Sequence, residues 1–240
     1  MSNRLPLCTR PAELIVFLEV DSSEIIRLTK DVGHISNFSY PYEYHLTIGW
    51  FTDENPDQLR KWGNHAVDFL KDKIARLEPE DLHSGNPLFS IIIDSAGRQP
   101  DVRGGGFYFQ PNAQSTQQAL ILHKEITSLL TTNQICSSEF IFDYNPHITF
   151  TPQITREILS EHQGNSVLER INDKIAGQKG GVARKVMLKP VAVRAILKYP
   201  DKLGNEQKET WDCKVEQPES SSLLKREGYR RNPRRFEMLE

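Results

Sequence analysis

Along the chain, apolar residues fall into short β-branched runs separated by stretches with helical spacing. "ELIVFLEV" at 13–20 reads as a first strand. In "DSSEIIRLTKDVG", Asp21 or Ser22 can cap a short helix that stops near Gly33. A loop at 34–44 leads to a second strand, "HLTIGWF". Leu59, Trp62, Val67, Leu70, Ile74 and Leu77 then recur at helical spacing between prolines, which predicts an amphipathic helix. "PLFSIIID" at 87–94 is a third predicted strand.

After the loop "SAGRQPDVRGGG" the pattern restarts. "FYFQP" at 107–111 is a strand and "NAQSTQQALILHKEITSLLTT" a capped helix. "PHITF" is a strand, and "QITREILSEHQGNSVLERINDKIAG" is helical with a break expected at Gly164. "VMLKPVAVRAILKYP" at 186–200 holds the last major core strand. Each half therefore reads strand, helix, strand, helix, strand, an order that suggests duplication. The expected domain runs over 12–216, with lobes at 12–95 and 104–200 and a hairpin at 201–216 turning at Gly204-Asn205. The polar, charge-rich segment 217–240 reads as a flexible tail.

Composition narrows the function class. Hydrophobic residues make up 38% of the chain and charged residues 26%, enough apolar material for a real core. A net charge of −2 gives no global basic field to hold long nucleic acid, which leaves short or nucleotide-sized anions as candidate ligands. Cys8, Cys136 and Cys213 stand apart, without zinc-ligand spacing, and the odd count fits a reducing compartment. The apolar run near the N-terminus breaks at Glu19, too early for a signal peptide or membrane span. The expectation is a cytoplasmic monomer without membrane, metal or cofactor; non-classical export would leave the same sequence.

The chemistry lies in a repeated pair. His45-Leu46-Thr47 and His147-Ile148-Thr149 occupy the same slot in the two halves. In a strand, residues i and i+2 share a face, so each His and Thr point one way and the apolar residue between them the other. Two imidazoles can divide acid and base work near neutral pH. Two hydroxyls can hold non-bridging phosphate oxygens. One His-x-Thr among seven histidines is an ordinary coincidence and reads as a strand-edge histidine. Two in matching slots, each followed by apolar strand residues, favour a site.

Other residues are candidates at a distance. Tyr144 and then Tyr42 are the aromatic residues best placed to stack a base, against the ordinary reading of packing. Arg98 and Arg103 could meet phosphate from the "GRQPDVRGGG" loop, whose ordinary reading is a hairpin turn. His34, His65, His83, His123 and His162 have no metal-ligand spacing and read as surface or core histidines. Arg230, Arg231, Arg234 and Arg235 in the tail are a candidate contact for RNA or an acidic partner; the bland alternative is a solvated tail.

These motifs resemble those of the 2H phosphoesterase superfamily, the LigT-like or cyclic phosphodiesterase fold. The resemblance covers roughly 12–200 and is carried by "HLTIGWF" and "PHITFTP"; "FSIIIDSAGRQPDVRGGGFYFQP" and "VAVRAILKYP" are similar to the family's central hairpin and late strand. It implies a bilobal α+β fold, with two antiparallel sheets flanked by helices around a central cleft. It also implies His45 and His147 as the acid/base pair and Thr47 and Thr149 as phosphate ligands. The long aromatic loop at 31–44 and the C-terminal extension depart from simpler members. The implied activity is metal-independent hydrolysis of a cyclic phosphate or 2′-linked phosphodiester of a nucleotide or short RNA. A nucleotide or RNA-end binding module with little turnover is the alternative, and a scaffold acting through its basic tail is a third reading.

Overall fold

The computed structural model describes residues 11–30, 32, 44–77, 89–100, 105–133, 135–137, 144–151, 159–177, 186–201 and 204–215. Within them, strands and helices follow one another as β1 (Ala12–Val20), α1 (Ser23–Thr29), β2 (His45–Asp53), α2 (Pro56–Ile74), β3 (Ile91–Arg98), β4 (Phe107–Pro111), α3 (Ala113–Thr132), β5 (Cys136–Ser137), β6 (Ile148–Thr149), α4 (Glu161–Ala176), β7 (Val186–Leu188), β8 (Pro190–Pro200) and β9 (Glu206–Lys214).

The mixed α+β class holds, but the strands form one sheet rather than two. Its order is β7-β3-β4-β6-β2-β1-β8-β9, with β5 beside β2 and every pairing antiparallel. The two expected sheets merge because β6 pairs with both β4 and β2. The order is also crossed. After α2, β3 joins β4, and after α4, β8 joins β1, so the third strand of each half lies in the other half's part of the sheet. The stretch 186–200 is not one strand with one set of neighbours. It divides at Lys189, with β7 bordering β3 and β8 bordering β1, so one run of chain links both parts of the sheet.

Three local readings change for packing reasons. β3 continues through Ala96, Gly97 and Arg98, because this segment pairs with "FYFQP" from Ser95↔Gln110 to Arg98↔Phe107. Gly97 admits the Tyr108 ring: a Cβ there would lie 2.7 Å from the ring and its hydroxyl. α4 does not break at Gly164, which sits within its first turn, where a Cβ would meet the Arg98 guanidinium at 3.0 Å. The helix starts at a capping box between Ser160 and Gln163. At α1, Ser22 occupies the cap position without a side-chain cap bond; Asp21 instead accepts from the Ser23 amide at 2.9 Å.

α2 packs on β1, β2, β8 and β9; α3 packs on β2 and β4; α4 packs on β3. Leu14, Leu18, Leu46, Ile48, Phe51, Leu59, Leu70, Phe109, Ile126 and Ile148 belong to one continuous core. α2 starts as its sequence predicts, with Asn55 accepting from the Asp57 amide and Pro56 at the first position. The hairpin expected after Pro200 also forms: β9 pairs along β8, and Asp201 binds the Asn205 amide at 2.8 Å while Gly204 takes φ +85°. Trp211 of β9 lies against Gly63 of α2, and Arg60 reaches Glu209. Residues 217–240 lie outside the described residues. No helix among the described residues is long and apolar enough to cross a membrane.

Candidate active site

The two His-x-Thr motifs meet where β2 pairs with β6. The register places Leu46 opposite Ile148, and both are fully buried. By strand alternation, His45, Thr47, His147 and Thr149 lie on the other face and are half-buried. The same register sets Thr47 beside His147 and His45 beside Thr149, so the two histidines are diagonal neighbours, about 7–8 Å apart with their Cβ atoms somewhat closer.

A β-bulge shapes this face. β1 pairs Phe17 with Thr47 but Val16 with Gly49, leaving Ile48 as an extra residue on β2. Leu46, Ile48, Gly49 and Phe51 can then all turn to the core while His45, Thr47 and Trp50 turn away from it. Gly49 is required beside this bulge, since a Cβ would lie 2.6 Å from the buried Phe51 ring.

His147 is held at both nitrogens. Its Nδ1 lies 2.8 Å from the Asn145 carbonyl, which can only accept, so Nδ1 carries the proton. Nε2 lies 3.0 Å from the Gln99 side-chain nitrogen and accepts from it. The Tyr108 ring meets the imidazole edge-on, with centroids 5.5 Å apart. Gln110 binds the preceding turn through the Pro146 carbonyl at 3.2 Å. Beneath the site, the Phe107 amide donates to the buried Thr151 hydroxyl at 2.7 Å, and the Phe150 amide to the Phe107 carbonyl at 3.0 Å, fixing this short strand to β4.

His45 has different surroundings. Phe17 packs on its ring with centroids 4.6 Å apart. Glu19 is its neighbour in the β1 register and pairs with Arg194 of β8 at 2.9 Å. One flank of the site thus carries an aromatic ring and an ion pair, while the other carries Tyr108 and the amides Gln99 and Gln110.

Tyr144 is placed between the two motifs rather than as an open rim residue. Its hydroxyl donates to the Thr47 carbonyl at 2.7 Å, and its ring stacks on His123 with centroids 4.0 Å apart. Burial pushes its phenol well above the ordinary tyrosine range. His123, half-buried, donates from Nδ1 to the Ile48 carbonyl at 2.7 Å. Arg98 is engaged with the Gly105 carbonyl at 3.2 Å and lies over the Phe107 ring. Tyr42 and Arg103 lie outside the described residues, as do His34 and His83. His65 and His162 are exposed on α2 and α4.

Sequence reasoning missed Gln99, Tyr108 and Gln110, and also Phe17 and the Glu19–Arg194 pair. An amide beside a hairpin turn and a tyrosine in an apolar strand carry no chemical motif. The available signal was Gly97, since glycine within a strand marks a close approach by a neighbour. Among the described residues, no group of three or more His, Cys, Asp or Glu could hold a metal ion.

No family model and no curated protein sequence matches the chain. Solved structures similar to it include two of Usb1. Usb1 from Kluyveromyces marxianus shares 12% identity over 85% of this chain and 99% of that one, with a TM-score of 0.44. The structure of the same organism's Usb1 with uridine monophosphate shares 11% identity over 83% of this chain and 96% of that one, with a TM-score of 0.43. At these values the functional reading stands on the side chains themselves.

Proposed function

We propose that the chain is a metal-independent phosphodiesterase acting on a cyclic phosphate or a 2′-linked phosphodiester of a nucleotide or short RNA. The observation that carries the reading is the Leu46↔Ile148 pairing, which gathers two imidazoles and two hydroxyls on one face of adjacent strands. Such a set suits in-line attack at phosphorus with a proton removed on one side and supplied on the other.

In this reading His147 is the base, since its proton sits on Nδ1 and its Nε2 lone pair, which accepts from Gln99, is the one a reacting water would take over. Nε2 takes a proton from water and the water oxygen bonds to phosphorus. The bond from phosphorus to the leaving sugar oxygen breaks, and His45, protonated, returns a proton to that oxygen. Thr47 and Thr149 donate hydrogen bonds to the non-bridging oxygens as negative charge builds on them. Phosphodiester anions are small enough to be held by these groups without a basic surface.

The test is a panel of 2′,3′-cyclic nucleotides, 2′–5′-linked dinucleotides and RNA with cyclic phosphate ends, assayed in EDTA. Turnover with a bell-shaped pH profile supports the proposal. Tight nucleotide binding without product, unchanged in an H45A/H147A double variant, would instead favour a binding module.

A further inference from the structure

Gln99 reaches the site from the end of β3. Its amide is brought there by the hairpin: the Gln99 amide N–H donates to the Gly106 carbonyl at 2.8 Å, and Gly105 closes the turn at φ 65°. From that position its side-chain nitrogen lies 3.0 Å from His147 Nε2. We propose that Gln99 is a positioning residue that holds His147 in both of its protonation states; the proposal rests on reading His147 as the base.

The argument is one of donor and acceptor inventory. Asn145 supplies only a carbonyl to Nδ1, so that proton stays in place throughout. Every change in the ring's protonation must then occur at Nε2. Neutral Nε2 needs a donor and protonated Nε2–H needs an acceptor. A carboxamide offers both, an NH₂ in one orientation and a carbonyl oxygen after rotation of the amide. A carboxylate offers only the second and an aliphatic side chain neither. Of the other groups facing His147, Thr47 of β2 stands opposite it in the register, and its hydroxyl is the one the proposed reaction assigns to phosphate. Tyr108 from β4 meets the ring edge, and His45 of β2 sits on the diagonal. The Glu19–Arg194 ion pair lies beyond His45, on the second and third strands from His147. Substrate or water would take the place of the Gln99 amide at Nε2 when the reacting oxygen approaches.

The experiment compares wild type, Q99E and Q99A by long-range ¹H–¹⁵N spectra of the His147 ring and by the pH dependence of kcat. The wild type should show a protonated Nδ1 and an unprotonated Nε2 at neutral pH. Q99E should carry protons on both nitrogens at the same pH, with the acid limb of the profile displaced upward by about 1–2 pH units. Q99A should leave that limb in place and lower kcat about tenfold at little-changed KM, the signature of a lost orienting contact. If the Q99E ring signals match those of the wild type, the proposal is overturned, whether or not the protein cleaves a phosphodiester. If the ring signals behave as stated while no substrate turns over, the positioning role stands and the proposed reaction fails.

Discussion

Leu46 of the first His-x-Thr motif pairs directly with Ile148 of the second. Because both middle residues are buried, the flanking His and Thr of each motif are forced to the same exposed side. A slip of one residue would turn one motif into the core. Replacing His45 or His147 by alanine should therefore cost about 10²–10⁴-fold in kcat, and the double variant little more than the worse single one. Thr47→Ala and Thr149→Ala should each cost up to about 10²–10³-fold. Steady-state kinetics on the substrate found to turn over checks both.

β6 contributes only two residues to the sheet, so the alignment of the motifs depends on additional ties. The Tyr144 hydroxyl on the Thr47 carbonyl is one of them. Tyr144→Phe removes this bond while keeping the ring stacked on His123. It should lower stability by about 1 kcal/mol, measured by urea unfolding, and reduce kcat more than it changes KM. A KM effect dominating over kcat would point instead to direct substrate contact by Tyr144.

β9 extends the sheet beyond β8 and is locked to α2 by Trp211 over Gly63, where an added Cβ would lie 2.4–2.6 Å from ring atoms. Gly63→Ala should destabilise the protein by about 1–3 kcal/mol through overpacking, despite alanine's better helix propensity. Thermal unfolding of G63A alone and with W211A is the check; the second change should recover part of the loss.

Glu209 accepts from Arg60 at 2.7–2.9 Å and from the Tyr199 hydroxyl at 2.8 Å. Hydrogen bonding from Arg60 is the main cause holding its carboxyl below the ordinary range, with Tyr199 adding to it against the opposing effect of burial. A depressed folded-state value stabilises the fold above the unfolded carboxyl's own titration, and that contribution disappears as pH falls through the folded value. Glu209→Gln should thus flatten the acid side of the stability curve below about pH 4.5. Both side chains are partly exposed, so the effect should be small and weaken with salt. Urea midpoints across pH at two salt concentrations measure it.

Much of the fold was legible because local patterning sets elements: Pro56 opens α2, the cap at Asn112 opens α3, and a β-branched and aromatic run marks β1. The single sheet and its crossed order were not, since which strands pair is decided by long-range contacts that local periodicity does not encode. β3 was cut short at Asp94 for the same reason. Ala96 and Gly97 look like loop residues until their pairing with Phe109 and Tyr108 is seen, the Tyr108 ring lying over Gly97. At the site, the histidines and threonines stood out by repetition. Gln99 did not, since its contact with His147 is created by a hairpin turn and a strand partner distant in sequence.

The most direct test of the paired-histidine account is mass spectrometric detection of products from cyclic-phosphate and 2′–5′-linked substrates, with EDTA present, for wild type, H45A and H147A. The account expects hydrolysis by the wild type, with cyclic phosphates opening to products heavier by one water and 2′–5′-linked substrates splitting into two fragments whose masses sum to substrate plus one water, and near-complete loss in either variant. Hydrolysis that persists in both variants, or an inert wild type across the panel, would contradict it.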